Sequence, residues 1–152
     1  LDKLLNSKKN IFDNGYILFS LLILVAAVNI IASVYFLSIM LAGVVFVAYS
    51  RCLKTQNYYP MMFVLLAFLI IELNNGFKPF SIILLASFIH VYLIPFLSRV
   101  VVIDSLSDFL QITLLYAGMA ILWLITNDLN FALIKILVLN FILDIIIIGL
   151  LP

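Results

Sequence analysis

Three ionisable residues stand close together in sequence that otherwise reads as hydrocarbon: Glu72, Lys78 and His90, within IIELNNGFKPFSIILLASFIHVYLIP at 70–95. A fourth, Asp144, lies in FALIKILVLNFILDIIIIGLLP, with Asn140 one turn before it. Such residues can form a working site at membrane depth, moving a proton or lining a polar cavity, because a buried charge is costly unless it is used and an imidazole titrates near neutrality. Alternatively, they mark where one helix ends and the next begins. Glu72 has two readings: an acid at a helix end that reaches interfacial water and pairs with Lys78 or Lys135, or a fixed acid in a shared outer pocket. His90 falls mid-helix, too deep to snorkel, and reads either as an interhelical hydrogen bond to a serine or carbonyl or as a proton relay. Asn140 and Asp144 share one helix face. Lys135, nine positions before Asp144, is rotated by about 900° at about 100° per residue and faces the opposite way. The Asn140–Asp144 stripe must therefore face protein or a water-filled cavity, and His90, at similar depth on a helix of the same direction, is its expected counterpart.

The elements that position these groups are membrane helices. Of 152 residues, 67% are hydrophobic and 10% charged. Soluble domains carry about 25% charged residues, so this chain has too few charges to coat a water-facing surface. The charges also cluster between long apolar runs. The fold class is all-α, a polytopic membrane helical bundle. Residues 1–15, with Asp2, Lys3, Lys8, Lys9 and Asp13, read as a cytoplasmic N-terminal segment and not a signal peptide, and 16–152 as a single transmembrane domain.

The region from Tyr16 to Ser50 has 35 residues and no charge. As one helix it would run about 52 Å, against a hydrocarbon core of about 30 Å. Two helices joined by an uncharged turn fit better, and Asn29 and Ser33 put that turn at 29–34. Further helices are predicted over 60–73, 80–98, 106–126 and 131–151, giving about six. Pro60 and Pro79 suit first-turn positions, Pro95 falls in a last turn, and Gly76 makes the turn between two helices. Ser105 with Asp108 resembles a capping box, and Trp123 suits an interfacial belt. With six helices and both termini cytoplasmic, Lys3, Lys8, Lys9, Arg51, Lys54 and Arg99 share the cytoplasmic side, as the positive-inside rule requires. The small residues Ala86, Ser87, Ala117, Gly118 and Ala120 allow close helix approach, either within the bundle or against a partner.

Other functions have no support in these residues. A net charge of +1 offers no basic face for nucleic acid. The single cysteine, Cys52, cannot form an intrachain disulfide or a cysteine metal cluster, and reads as an inert interfacial thiol. There is no HExxH, no Walker loop and no evident serine–histidine–aspartate set. Neither an enzyme nor a cofactor is expected.

The run Glu72-Leu73-Asn74-Asn75-Gly76, followed by Phe80-Ser81 and the helix carrying His90, resembles the rod shape-determining protein MreD family. That family places an acid–leucine–x–x–glycine run at the end of a central helix and an asparagine near the centre of its last helix, where this chain has Asn140. This chain has glutamate for the usual aspartate, Lys78-Pro79 in place of a second glycine, and Asp144 in addition. The resemblance implies a non-enzymatic scaffold in the bacterial inner membrane, working in cell elongation and peptidoglycan synthesis. Its implied partners are a bitopic MreC-like protein, the MreB filament and peptidoglycan synthases, with membrane lipid around it. The layout is also similar to six-helix substrate-binding subunits of vitamin uptake transporters, which keeps a small-molecule carrier as the rival. A carrier predicts a continuous polar pocket; a scaffold predicts a closed core with isolated polar contacts.

Overall fold

A computed structural model describes residues 15–34, 39–56, 58–99, 107–126 and 131–150, and among these there is helix and no strand. The helices are α1 (Gly15–Val34), α2 (Ala42–Thr55), α3 (Tyr58–Asn75), α4 (Ser81–Phe88), a π-helical turn (Ile89–Leu93), α5 (Ile94–Ser98), α6 (Ser107–Thr126) and α7 (Phe131–Leu150). Four of them, α1, α3, α6 and α7, are long and apolar enough to cross a membrane. The stretch Ser81–Leu97 is apolar but shorter. The 14 residues of α2 reach only about 21 Å at 1.5 Å per residue, short of a full crossing.

α2 is nevertheless the centre of the bundle. Every residue from Ala42 to Ser50 is buried, as expected of a helix enclosed on all sides. It packs against α3, α6 and α7. α1 lies along α3, with Phe19 edge-on to Phe63 at 4.7 Å between ring centres. α6 pairs with α7, and α4 contacts α3 and α6. Between lipid-soluble helices there is little hydrophobic driving force, so fit and hydrogen bonds decide association. Two of the small residues, Ala86 and Gly118, act within the bundle, while Ala117 is exposed. Ala86 is fully buried, and a Cβ on Gly118 would lie 2.7 Å from Leu85 Cδ1.

The long apolar region is interrupted, as its length requires, but later than expected. α1 continues through Val34, and the interruption includes the non-helical residues 39–41. Asn29 does not mark a turn. It stays helical, and its Nδ2 donates to Val25 O at 3.0 Å and across to Met40 O at 2.8 Å. Leu41 enters α2 with φ +54°, a left-handed conformation that is unfavourable for a branched side chain. α2 starts beside the middle of α7, because Met40 and Gly43 contact Asn140 and Asp144.

At the other end α2 stops at Gln56, also left-handed, whose N–H bonds Leu53 O at 3.4 Å. Arg51 in α2 pairs with Asp108 in the first turn of α6 at 3.0 Å. The expected cap from Ser105 lies outside the described residues. Pro95 sits just after the π-helical turn. A proline has no N–H and crowds the carbonyl four residues back; here the helix widens by one residue, with Ile94 N–H reaching Ile89 O.

Overpacking tests the α4–α6 contact. Gly118→Val should lower thermal stability in detergent by about 1–3 kcal/mol, and pairing it with Leu85→Ala should recover part of that loss. A Gly118→Val protein as stable as the native chain would contradict the close approach.

Candidate functional site

Two acids form the polar centres of the bundle, and both serve backbone amides. Glu72 lies in the last turn of α3 and is fully buried. One carboxylate oxygen, Oε2, accepts Phe80 N–H at 2.6 Å; the other, Oε1, accepts Ile82 N–H at 2.6 Å and Ile83 N–H at 3.2 Å. The first N–H groups of a helix have no partner within it, and their partial positive charge favours an anion. Glu72 therefore caps α4 from a different helix. Phe80, the residue before α4, has φ +67° and no side-chain cap of its own.

The chain between acid and cap is shaped for this. Gly76 has φ +76°, the conformation in which glycine is favoured. Phe77 N–H bonds Glu72 O at 3.0 Å, closing α3 with a Schellman-type bond. Phe77 is buried and packs edge-on against Trp123 at 5.3 Å, which places Trp123 at the end of the bundle that holds this turn. Lys78 is exposed. Glu72 thus pairs with backbone amides and not with Lys78 or Lys135. Pro79 precedes α4 within the turn; it does not begin the helix.

The second centre joins three segments. Asn140 and Asp144 are buried on one face of α7, as their spacing predicts, while Lys135 is exposed. Asn140 Oδ1 accepts Met40 N–H at 2.7 Å. Asp144 Oδ2 accepts Gly43 N–H at 2.7 Å and the Tyr116 hydroxyl at 2.5 Å. The Tyr116 ring meets Phe141 at 5.8 Å. Non-helical backbone at membrane depth is tolerated only where protein or a cavity satisfies it. Here Asn29 takes the Met40 carbonyl, Asn140 its amide, and Asp144 the Gly43 amide in the first turn of α2.

Glycine at 43 is required by space. A Cβ there would lie 2.7 Å from Asp144 Oδ2 and 2.9 Å from Ile112 Cγ2.

His90 belongs to neither centre. It lies in the π-helical turn, half-buried, with Tyr49 edge-on at 6.1 Å. Tyr49 OH lies 3.0 Å from Ser87 Oγ, which in turn donates to Ile83 O at 2.9 Å. The expected His90–Asp144 pair does not form: Asp144 is engaged by Gly43 and Tyr116, and His90 by the Tyr49 ring. Sequence reasoning also missed Gly43, Tyr116 and Asn29 as members of the second centre. Gly43 is the only glycine in the apolar region 16–50 and was the available signal. No metal-binding group of three histidine, cysteine or acidic residues exists among the described residues. Grooves lined by Tyr58, Tyr59, Met61, Met62 and Leu65, and between α6 and α7, are apolar.

Comparisons with family models, with curated proteins and with solved structures return no match.

Substitutions separate the amide-capping role of Glu72 from an ion-pair role. Glu72→Ala strands three amides and should cost about 3 kcal/mol or more, given about 1.5–3 kcal/mol for a hydrogen bond to a charged group. Lys78→Ala should stay within about 0.5 kcal/mol of the native chain. Equal losses, read from thermal unfolding in detergent, would restore the ion pair. At the second centre, Gly43→Ala should destabilise by about 1–3 kcal/mol, and less in an Asp144→Ala background, where the carboxylate contact is gone and the Ile112 contact remains.

Proposed function

We propose that the chain is a non-enzymatic scaffold of the bacterial inner membrane, acting in the cell-elongation machinery as its resemblance to MreD implies. The observation that carries this reading is the clamp at 72–83. The residues of the acid–leucine–x–x–glycine run, Glu72 and Gly76, are the ones that fix how α3 meets α4. A run with that geometric role sets the shape of the bundle, and shape is what a scaffold presents to partners. Buried acids committed to backbone amides also suit a rigid body better than a moving one.

In this reading the chain crosses the membrane six times, with α2 and the stretch Ser81–Leu97 completing the spans, and both termini are cytoplasmic. The positive charges near Arg51, Lys54 and Arg99 then face the cytoplasm. The partners are a bitopic MreC-like protein, the MreB filament and peptidoglycan synthases, reached through lipid-facing helix surfaces and short loops.

One observation favours the rival reading of a small-molecule carrier similar to vitamin-uptake subunits. A helix interrupted near the middle of its neighbour, with Asn29, Asn140 and Asp144 around the interruption, is the kind of place where transporters bind substrate or ions.

Depletion of the gene in its own host separates the two. The scaffold reading predicts rounding of rod-shaped or helical cells, rescued by the native gene and by Lys78→Ala but not by Glu72→Ala. Loss of uptake of one nutrient with normal cell shape would favour the carrier. Single-cysteine labelling in whole cells, in a Cys52→Ser background, should reach position 78 from outside and position 54 only after permeabilisation.

A further inference from the structure

We infer that residues 1–14 form an amphipathic helix at the membrane surface and seat its apolar face in the groove at the start of α3. That groove is apolar and lined by Tyr58, Tyr59, Met61, Met62 and Leu65. It stands open: Tyr58 is 74% exposed, Tyr59 90% and Met62 67%. These residues form the opening turns of α3, directly after Lys54 and Gln56 at the end of α2. Lipid tails cover apolar surface in the hydrocarbon core, but the first turn of a spanning helix lies near headgroup depth. An apolar groove at that depth is a fitting seat for an interfacial helix.

The chain itself carries a segment of that kind. Placed on a helix at about 100° per residue, Leu1, Leu4, Leu5, Ile11 and Phe12 fall within an arc of about 120°. Asp2, Lys3, Lys9 and Asp13 fall outside it. Lys8 falls inside, where its long stem can lie along the apolar face with the ammonium among headgroups. A face of that width with lysines on the helix is what an interfacial helix presents to anionic lipid.

Position selects this segment over another occupant. Asn14 joins Gly15, the first residue of α1. Phe19 in the second turn of α1 meets Phe63 in the second turn of α3. The two helices run in the same direction, because Asn29, farther along α1, reaches Met40 at the start of α2, and α2 ends just before α3 begins. One turn back from the aromatic pair, Gly15 and Tyr59 therefore stand at the same level. Ile11 and Phe12 are the apolar residues nearest Gly15, about one further turn away. A tethered segment meets the groove at a high effective concentration, and a phenylalanine ring against the thioethers of Met61 and Met62 is a favourable contact. This inference goes beyond the scaffold reading and does not depend on it.

The test is disulfide trapping of the full chain in vesicles of phosphatidylethanolamine and phosphatidylglycerol, in a Cys52→Ser background. Phe12→Cys with Met62→Cys should close an intrachain disulfide under copper phenanthroline, read as loss of both thiols to a maleimide polymer while the chain stays a monomer. Phe12→Cys with Phe96→Cys, at an exposed position of α5, should stay reduced. In a Met62→Cys variant, adding Ile11→Asp and Phe12→Asp should speed maleimide labelling about tenfold, which decides the question if the double-cysteine variant fails to insert. Trapping no faster than in the Phe96 pair, or labelling that ignores both aspartate substitutions, would overturn the proposal and leave lipid over the groove. A disulfide-linked dimer would give the groove to a second copy of the chain and overturn it as well.

Discussion

Backbone amides inside a lipid-embedded bundle need partners, and water is not there to supply them. The structure depends on how that demand is met at the starts of α2 and α4. Each helix start leaves amides unmatched, and in hydrocarbon each unmatched group costs several kcal/mol. α2 begins beside the middle of α7, and α4 begins directly after a tight turn. Neither is capped by a residue of its own. Asp144 and Asn140 serve the first, and Glu72 serves the second. The bundle is built around these long-range caps: α7 holds α2, and α3 holds α4.

The same arrangement explains why two acids persist in so apolar a chain. A carboxylate in hydrocarbon is expensive alone, but several amides of a helix start, with their partial positive charge, form a fitting counterpart. Glu72 accepts three amides and so has no need of Lys78. Asp144 divides one oxygen between Gly43 and Tyr116. Gly43 admits the carboxylate because it has no side chain, and the left-handed Leu41 turns the chain so that α2 points its amides at α7.

Several of these features were legible in the sequence. The length of the uncharged stretch 16–50 against the membrane thickness required an interruption, and there is one. Gly76 was recognisable as a turn, and the i, i+4 spacing of Asn140 and Asp144 placed them on one buried face. Sequence did not show where the interruption falls. Asn29 looks like a turn residue, but it serves the turn from within a helix, through its side chain. The partner of Asp144 was also hidden. Spacing along a helix gives a residue's depth and face, but not which neighbour lies across from it, so His90 at similar depth was paired with Asp144 when α2 in fact lies there. Backbone amides are the same in every residue, so no residue type announces a carboxylate's partner when that partner is the main chain.

The central claim is that buried acids cap interrupted helices, and amide hydrogen exchange read residue by residue by NMR in nanodiscs measures it most directly. The amides of Gly43 and Ile82 should exchange as slowly as those in the middle of α2. Asp144→Asn should speed exchange at Gly43 while leaving Ile82 unchanged, and Glu72→Gln should do the reverse. Fast exchange at both amides in the native chain, or protection that ignores both substitutions, would contradict the account.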